Sequence, residues 1–148
     1  MAAARLLATA LAAWERDGLR SALRKAGLPA DDVDDARLLF WRFESLNDVP
    51  AGFGGLEIHD GDALLRSVVV LPPLRRIGIG RAIVAKLETE AAARNCRAVY
   101  LLTAVQADFF ARLGYAPCGR TEVPDGIRAR LQFTSLCPAS ADVMVKRL

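Results

Sequence analysis

Apolar positions along the chain change period several times, and each change marks an element. Leu19, Leu23 and Ala26 recur at helical spacing before Gly27-Leu28-Pro29 breaks the run, which predicts a first helix ending there. Ahead of it, the Ala-rich stretch 1–14 reads as a first strand running into that helix, since it lacks the cleavage site of a signal peptide. A short acidic turn from Asp31 to Asp35 follows, then a strand over 38–43, a loop over 47–50 and a second strand over 52–59. Past Ser67-Val68-Val69-Val70-Leu71, a β-branched run bounded by prolines, the period lengthens again: Ile83, Leu87 and Ala91 recur among Lys86, Glu88 and Glu90. A further apolar strand is predicted over 98–103, then a helix carrying Phe109 to Tyr115 and a strand near 116–120. A short helix over about 126–133 and a last strand over 142–148 complete the order.

Asp60-Gly61 between Ile58 and Leu64 is a two-residue hairpin signal. In that register Glu57 faces Leu64 and Gly55 faces Arg66, so Glu57 and Arg66 lie diagonally on one face and can pair.

The segment Arg75-Arg76-Ile77-Gly78-Ile79-Gly80-Arg81 falls between a predicted strand and a predicted helix start. Unpaired N–H groups and the positive end of the helix dipole make an anion site there, and glycines let phosphate oxygens approach the main chain. Three arginines add charge, so the ligand predicted is a phosphate or pyrophosphate. A Walker loop is excluded because no Lys-Ser/Thr follows the second glycine, and a dinucleotide fingerprint because its third glycine is missing.

Arg-x-x-Gly-x-Gly after a Val-rich strand and a proline resembles the pyrophosphate loop of the GCN5-related N-acetyltransferase (GNAT) family. The later strand and the helix ending in Phe109-Phe110-Ala111-Arg112-Leu113-Gly114-Tyr115 resemble that family's other signature, in the right order and at the right separation. A narrower resemblance, through Gly54-Gly55-Leu56-Glu57, Leu64-Leu65-Arg66-Ser67, Ile127-Arg128 and Leu136-Cys137-Pro138-Ala139-Ser140-Ala141, is to arsenic-resistance N-acetyltransferases and covers nearly the whole chain.

The resemblance implies an α/β (α+β) acyl-CoA N-acyltransferase fold, a mixed central sheet with helices on both faces, filling residues 1–148 as a single domain. It implies acetyl-CoA as co-substrate, with Val68, Val69 and Val70 along the pantetheine arm, and with Arg75, Arg76, Ile77, Gly78, Ile79, Gly80 and Arg81 on the pyrophosphate. Phe109, Phe110 and Arg112 complete the cofactor side. Acetyl transfer to an amine needs a base; Glu57, on the strand beside the donor strand, is the candidate, and pairing with Arg66 alone is the competing role. Arg66 and Arg128 are the acceptor-binding candidates, and Arg130 with Arg128 favours an acceptor bearing a carboxylate or oxyanion. One departure stands out: many family members carry a tyrosine where this chain has Phe110, and a phenyl ring cannot protonate the leaving thiolate. His59 reads as a solvent-exposed turn residue.

Composition narrows the rest. With 148 residues, 53% hydrophobic and 25% charged, one domain with its own core suffices, and no apolar run approaches the roughly 20 residues of a membrane span. A net charge of +3 spread among 17 acidic residues argues against a nucleic-acid stripe. Cys96, Cys118 and Cys137 are too few and too scattered for a disulfide framework or a metal or arsenic cluster, which places the protein in a reducing cytoplasm. The expected activity is acetylation of a small-molecule amine by direct attack, with amino-acid-like or arsenic-containing toxins as acceptors to consider and a homodimer as the assembly common in the family. The alternative is an acyl-CoA-binding module without turnover.

Overall fold

The computed structural model describes residues 5–72, 78–133 and 141–148. In chain order they form β1 (Leu6–Ala10), α1 (Arg16–Lys25), β2 (Leu39–Ser45), β3 (Pro50–His59), β4 (Asp62–Val70), α2 (Ile79–Ala93), β5 (Ala98–Thr103), α3 (Ala107–Arg112), β6 (Ala116–Pro117), α4 (Asp125–Phe133) and β7 (Asp142–Arg147). The strands make one seven-stranded sheet in the order β1-β2-β3-β4-β5-β7-β6. Only β4 and β5 run parallel; every other neighbouring pair is antiparallel.

Period-two alternation divides the sheet's side chains between two layers. Trp41, Leu56, Leu65, Val99 and Leu101 pack under α2, whose Ile79, Ile83, Val84, Leu87 and Ala91 are the buried stripe of a helix. On the other face Leu19 and Leu23 of α1 cover Phe40, Leu38 and Val69, while Ile127 of α4 covers Leu64, Ala98, Tyr100 and Val143. Each of the fully buried leucines and isoleucines contributes about 1.5–3 kcal/mol of burial. The mixed sheet with helices on both faces agrees with the expected fold.

The Asp60-Gly61 turn has positive φ at both residues, 46° and 86°, as a type I′ turn requires. It sets the predicted register, Glu57 opposite Leu64 and Gly55 opposite Arg66. The strand expected over 67–71 is the far half of the nine-residue β4. The strand expected over 116–120 is a correction: it is two residues long, because Pro117 has no N–H for the ladder and a 3₁₀ turn takes over at Arg120–Glu122. α2 starts four residues before the first position of the apolar period, at Ile79, with Gly78 in the left-handed region at φ 78°. Among the described residues, no helix is long and apolar enough to cross a membrane.

Candidate active site

Two irregularities in β4 shape the centre of the molecule. Its pairing with β5 covers only Asp62–Ala98, Ala63–Val99 and Leu64–Tyr100, and beyond Tyr100 β5 pairs with β7 alone. From Arg66 to Val70 the main chain of β4 therefore borders a parting in the sheet. Within that stretch the register against β3 slips: Gly55 faces Arg66, yet Phe53 faces Val69. The extra residue is a bulge at Ser67, held at φ 58°. It flips side-chain parity, so Leu65 lies under α2 and so do Val68 and Val70, while Val69 turns to the α1 face.

At the open end of β4 stands the start of α2. Its first turn has no acidic residue, Gly78 and Arg81 are exposed, and Ile79 is anchored in the core. Gly80 sits close behind: a Cβ there would stand 3.3 Å from Phe109 Cζ and 3.5 Å from Val70 Cγ2. The structure thus gathers Val68, Val70, Gly78, Gly80, Arg81 and Phe109 around one edge of the parting, and Arg112 is exposed on α3. Arg75, Arg76 and Ile77, and also Cys137, lie outside the described residues.

Phe110 is buried, edge-on to Phe109 at 5.0 Å and to Tyr115 at 5.7 Å between ring centroids. The Tyr115 hydroxyl does not replace the missing phenol: it donates to Glu88 Oε2 at 2.8 Å, and burial, with Glu88 adding, pushes its pKa well up. Tyr100 is likewise buried, so both tyrosines pack.

On the α1/α4 face, at the point where β4 and β5 part, six charged side chains interlock. Glu57, with only 4% of its side chain exposed, accepts from Arg66 Nη1 at 3.2 Å and Arg130 Nη2 at 3.3 Å through Oε1. Through Oε2 it meets Arg130 Nε at 3.1 Å and His59 Nε2 at 3.4 Å. The acidic turn closes over this group. Asp32 takes Arg66 in a two-point contact at 2.6 and 2.5 Å, and Asp35 bridges Arg130 Nη2 at 2.9 Å and Arg37 Nη2 at 2.7 Å. The Arg37 and Arg130 guanidinium groups hold the Asp35 carboxyl well below its usual range. Arg16 of α1 pins the turn's main chain by donating to the carbonyls of Val33, Asp35 and Leu38 at 2.7, 2.9 and 3.1 Å. Arg37, Glu57, Ile58, His59 and Arg130 line a cleft of about 240 Å³.

The expected Glu57–Arg66 pair is present. Arg128 stands apart: it is 41% exposed and pairs with Asp125 of its own helix. Arg130 reaches the site instead, because it lies three residues, close to one turn, after the fully buried Ile127 and so flanks the packed side of α4. Burial of Ile127, a property of the fold, separates the two arginines. Asp32, Asp35 and Arg37 had no signal in the sequence either, since their partners are 34 or 95 residues away in sequence for the two aspartates. His59 lies at the turn as expected, but with its ring on Glu57 and its side chain only 25% exposed. Among the described residues no group of three His, Cys, Asp or Glu is placed to hold a metal ion.

The fold has counterparts among solved structures. N-acetylglutamate synthase from Neisseria gonorrhoeae, in complex with coenzyme A and L-arginine, superposes with a TM-score of 0.77 at 15% identity over 99% of this chain. This chain spans only 34% of that synthase. A GNAT-family acetyltransferase from Staphylococcus aureus gives 0.72 at 14% identity, covering 97% of this chain and 99% of that one. PaiA N-acetyltransferase from Thermoplasma acidophilum, in complex with coenzyme A, gives 0.68 at 14% identity, with 97% and 99% covered. No curated protein matches the sequence itself. Residues 3–115, however, match the acetyltransferase (GNAT) family, and with that match the parted strands, the glycine-led helix and the seven-stranded sheet have one explanation: the chain belongs to the GNAT acetyltransferases.

Proposed function

We propose that this protein is an N-acetyltransferase that moves the acetyl group of acetyl-CoA onto the amine of a small molecule carrying a carboxylate, as one domain over residues 1–148. The observation that carries the reading is the cleft of Arg37, Glu57, Ile58, His59 and Arg130, whose β3 residues lie opposite Asp62 to Leu64, next to the point where β4 and β5 part. A donor lying in the parting and an acceptor lying in the cleft meet beside Leu64.

Acetyl-CoA supplies an activated thioester. The chain's part is to bind and orient. Main-chain groups of Val68 and Val70 border the donor path, and the start of α2, with Gly78, Gly80 and Arg81 and no acid in its first turn, suits a pyrophosphate. Arg75, Arg76 and Ile77 belong to the same loop, and Phe109, Phe110 and Arg112 to the helix beside it. On the acceptor side Arg37 and Arg130 offer guanidinium groups to a carboxylate, and Glu57, held from behind by Arg66, lines the same cleft. Holding the two reactants in this geometry is the largest part of such a catalyst's task. Free cysteines at Cys96 and Cys118 fit a reducing cytoplasm.

An amino-acid-like acceptor follows from charge and size: two arginines line one cleft whose volume, about 240 Å³, suits a small zwitterion. Arsenic-containing amino acids belong to that class, with the amine, not the arsenic, as the reacting centre. The test is free-thiol release from acetyl-CoA with paired amines that differ only in a carboxylate, for example an amino acid and its decarboxylated counterpart. Release faster with the carboxylate partner, and weakened in Arg37→Ala through KM, supports the reading. Equal release from both partners removes the carboxylate from it, and cofactor binding without release from any amine leaves a non-catalytic acyl-CoA binder.

A further inference from the structure

We infer that His59, the chain's single histidine, takes the acceptor's proton, and that Glu57 is the residue that positions it. This rests on the transferase reading above.

Three observations converge. First, the oxygens of Glu57 are occupied: Oε1 accepts from Arg66 and Arg130, Oε2 from Arg130 Nε, and the side chain is almost wholly enclosed. With 4% of its side chain exposed, that carboxylate offers an incoming ammonium little surface in the cleft. Second, His59 lines the cleft and is the more accessible member of the pair, 25% exposed against 4%. Third, its Nε2 lies 3.4 Å from Glu57 Oε2, and a carboxylate between two guanidinium groups can only accept. Nε2 therefore carries the hydrogen, and Nδ1 is left with the lone pair that a base needs. Beside that nitrogen α4 presents Gly126; a Cβ there would stand 3.3 Å from His59 Cβ and 3.8 Å from Nδ1.

The remaining charged groups around the ring are accounted for. Across the hairpin His59 faces the buried Asp62. From α4 comes Arg130, bonded to Asp35 and Glu57, and from the loop ahead of β2 Arg37, bonded to Asp35. Asp125, next to Gly126, is engaged by Arg128.

The step balances as follows. The ammonium loses one proton to His59 Nδ1. The freed nitrogen lone pair attacks the thioester carbonyl carbon, the C–N bond forms, and collapse breaks C–S. The second proton of the original ammonium passes to the departing sulfur, directly or through water, and the imidazolium returns its own to solvent.

The experiment is the pH dependence of kcat/KM for amine-dependent thiol release by wild type, His59→Gln and Glu57→Gln, with calorimetric coenzyme A binding as the folding control. The expected result is a loss of about 100-fold in kcat for His59→Gln near neutral pH, the scale of one general base. KM for the acceptor should change little, and the variant's rate should climb with the free-amine fraction where wild type levels off. Glu57→Gln lowers kcat but keeps a pH-dependent profile, since the amide oxygen can still accept from Nε2 while the charge that holds the ring is lost. Wild-type rate and profile in His59→Gln, or the profile lost in Glu57→Gln alone, overturns the inference. Absence of thiol release from wild type across the amine panel overturns the transferase reading instead, and the inference with it. Nitrogen-15 NMR of the single imidazole gives a readout independent of turnover: the Nε2–H tautomer is expected, and the Nδ1–H tautomer overturns the assignment.

Discussion

Arg130 on α4 reaches Glu57 on β3 across 73 positions of sequence, Nε to Oε2 at 3.1 Å, and its Nη2 joins Asp35 of the acidic turn at 2.9 Å. One guanidinium thus ties the last helix, a central strand and the α1–β2 loop into one corner. Glu57 and Asp35 in turn raise the Arg130 pKa, so the group stays charged throughout the usable pH range.

Replacing Arg130 by Ala should destabilise the fold by about 2–3 kcal/mol, because Glu57 remains enclosed with one cation fewer. Arg128→Ala, which removes an exposed pair two residues away, should cost under about 0.5 kcal/mol. Urea unfolding of the two variants checks the contrast; equal midpoints would show that the corner contributes nothing particular to stability.

Asp35 gives the stability a pH dependence of known sign. Its folded-state pKa is depressed below the ordinary value of 3.8, first by Arg37 and then by Arg130, so the unfolded chain binds the proton more readily. The contribution is complete above the unfolded pKa and is lost as pH falls from about 4 towards the folded value. Melting temperatures from pH 6 down to pH 2.5 should fall less steeply in Asp35→Asn than in wild type, and parallel curves would remove Asp35 from the acid response.

The far end of the hairpin should be intolerant of a single methyl. A Cβ on Gly52 would stand 2.1 Å from the main-chain oxygen of Val69, at the bulge that turns β4 towards the parting. Backbone cannot swing aside as a side chain can, so Gly52→Ala should cost about 3 kcal/mol and weaken coenzyme A binding with it. Unchanged binding and stability would mean that the bulge rearranges at no cost.

Tyr115→Phe separates packing from chemistry. Its hydroxyl donates to Glu88, which Lys146 also holds at 3.1 Å, so loss of the bond should cost about 1.5 kcal/mol. Turnover should be unchanged within about twofold. A large fall in kcat with stability intact would instead make Tyr115 the missing acid.

The parts legible in the sequence are those fixed by local rules. Asp60-Gly61 fixes a turn type, the turn fixes a register, and the register places Glu57 diagonal to Arg66 without any knowledge of the fold. Ile83, Leu87 and Ala91 likewise announce the buried stripe of α2. What sequence alone could not give are relations between segments. Asp31 to Asp35 reads as a polar turn, and nothing local says that two of its carboxylates will meet arginines from β4 and α4. The choice between Arg128 and Arg130 depends on where Ile127 is driven into the core, a tertiary fact. His59 differs from expectation for a related reason: a residue next to a tight turn is commonly exposed, but here Gly126 of α4 packs against one side of the residue and leaves 25% of its side chain exposed.

The parity flip at Ser67 carries a wider implication. Along the parting, what β4 offers is chiefly peptide groups, and almost any sequence that keeps the bulge and the glycine-led helix supplies them. The charged corner beyond Leu64 is the opposite case, since each of its bonds depends on the identity of a particular side chain. Two halves of one centre are thereby encoded in different alphabets, the first in backbone shape and the second in residue type. Substitution can rewrite the second while the first persists, and a fold held in common at 14–15% identity needs no more than the first.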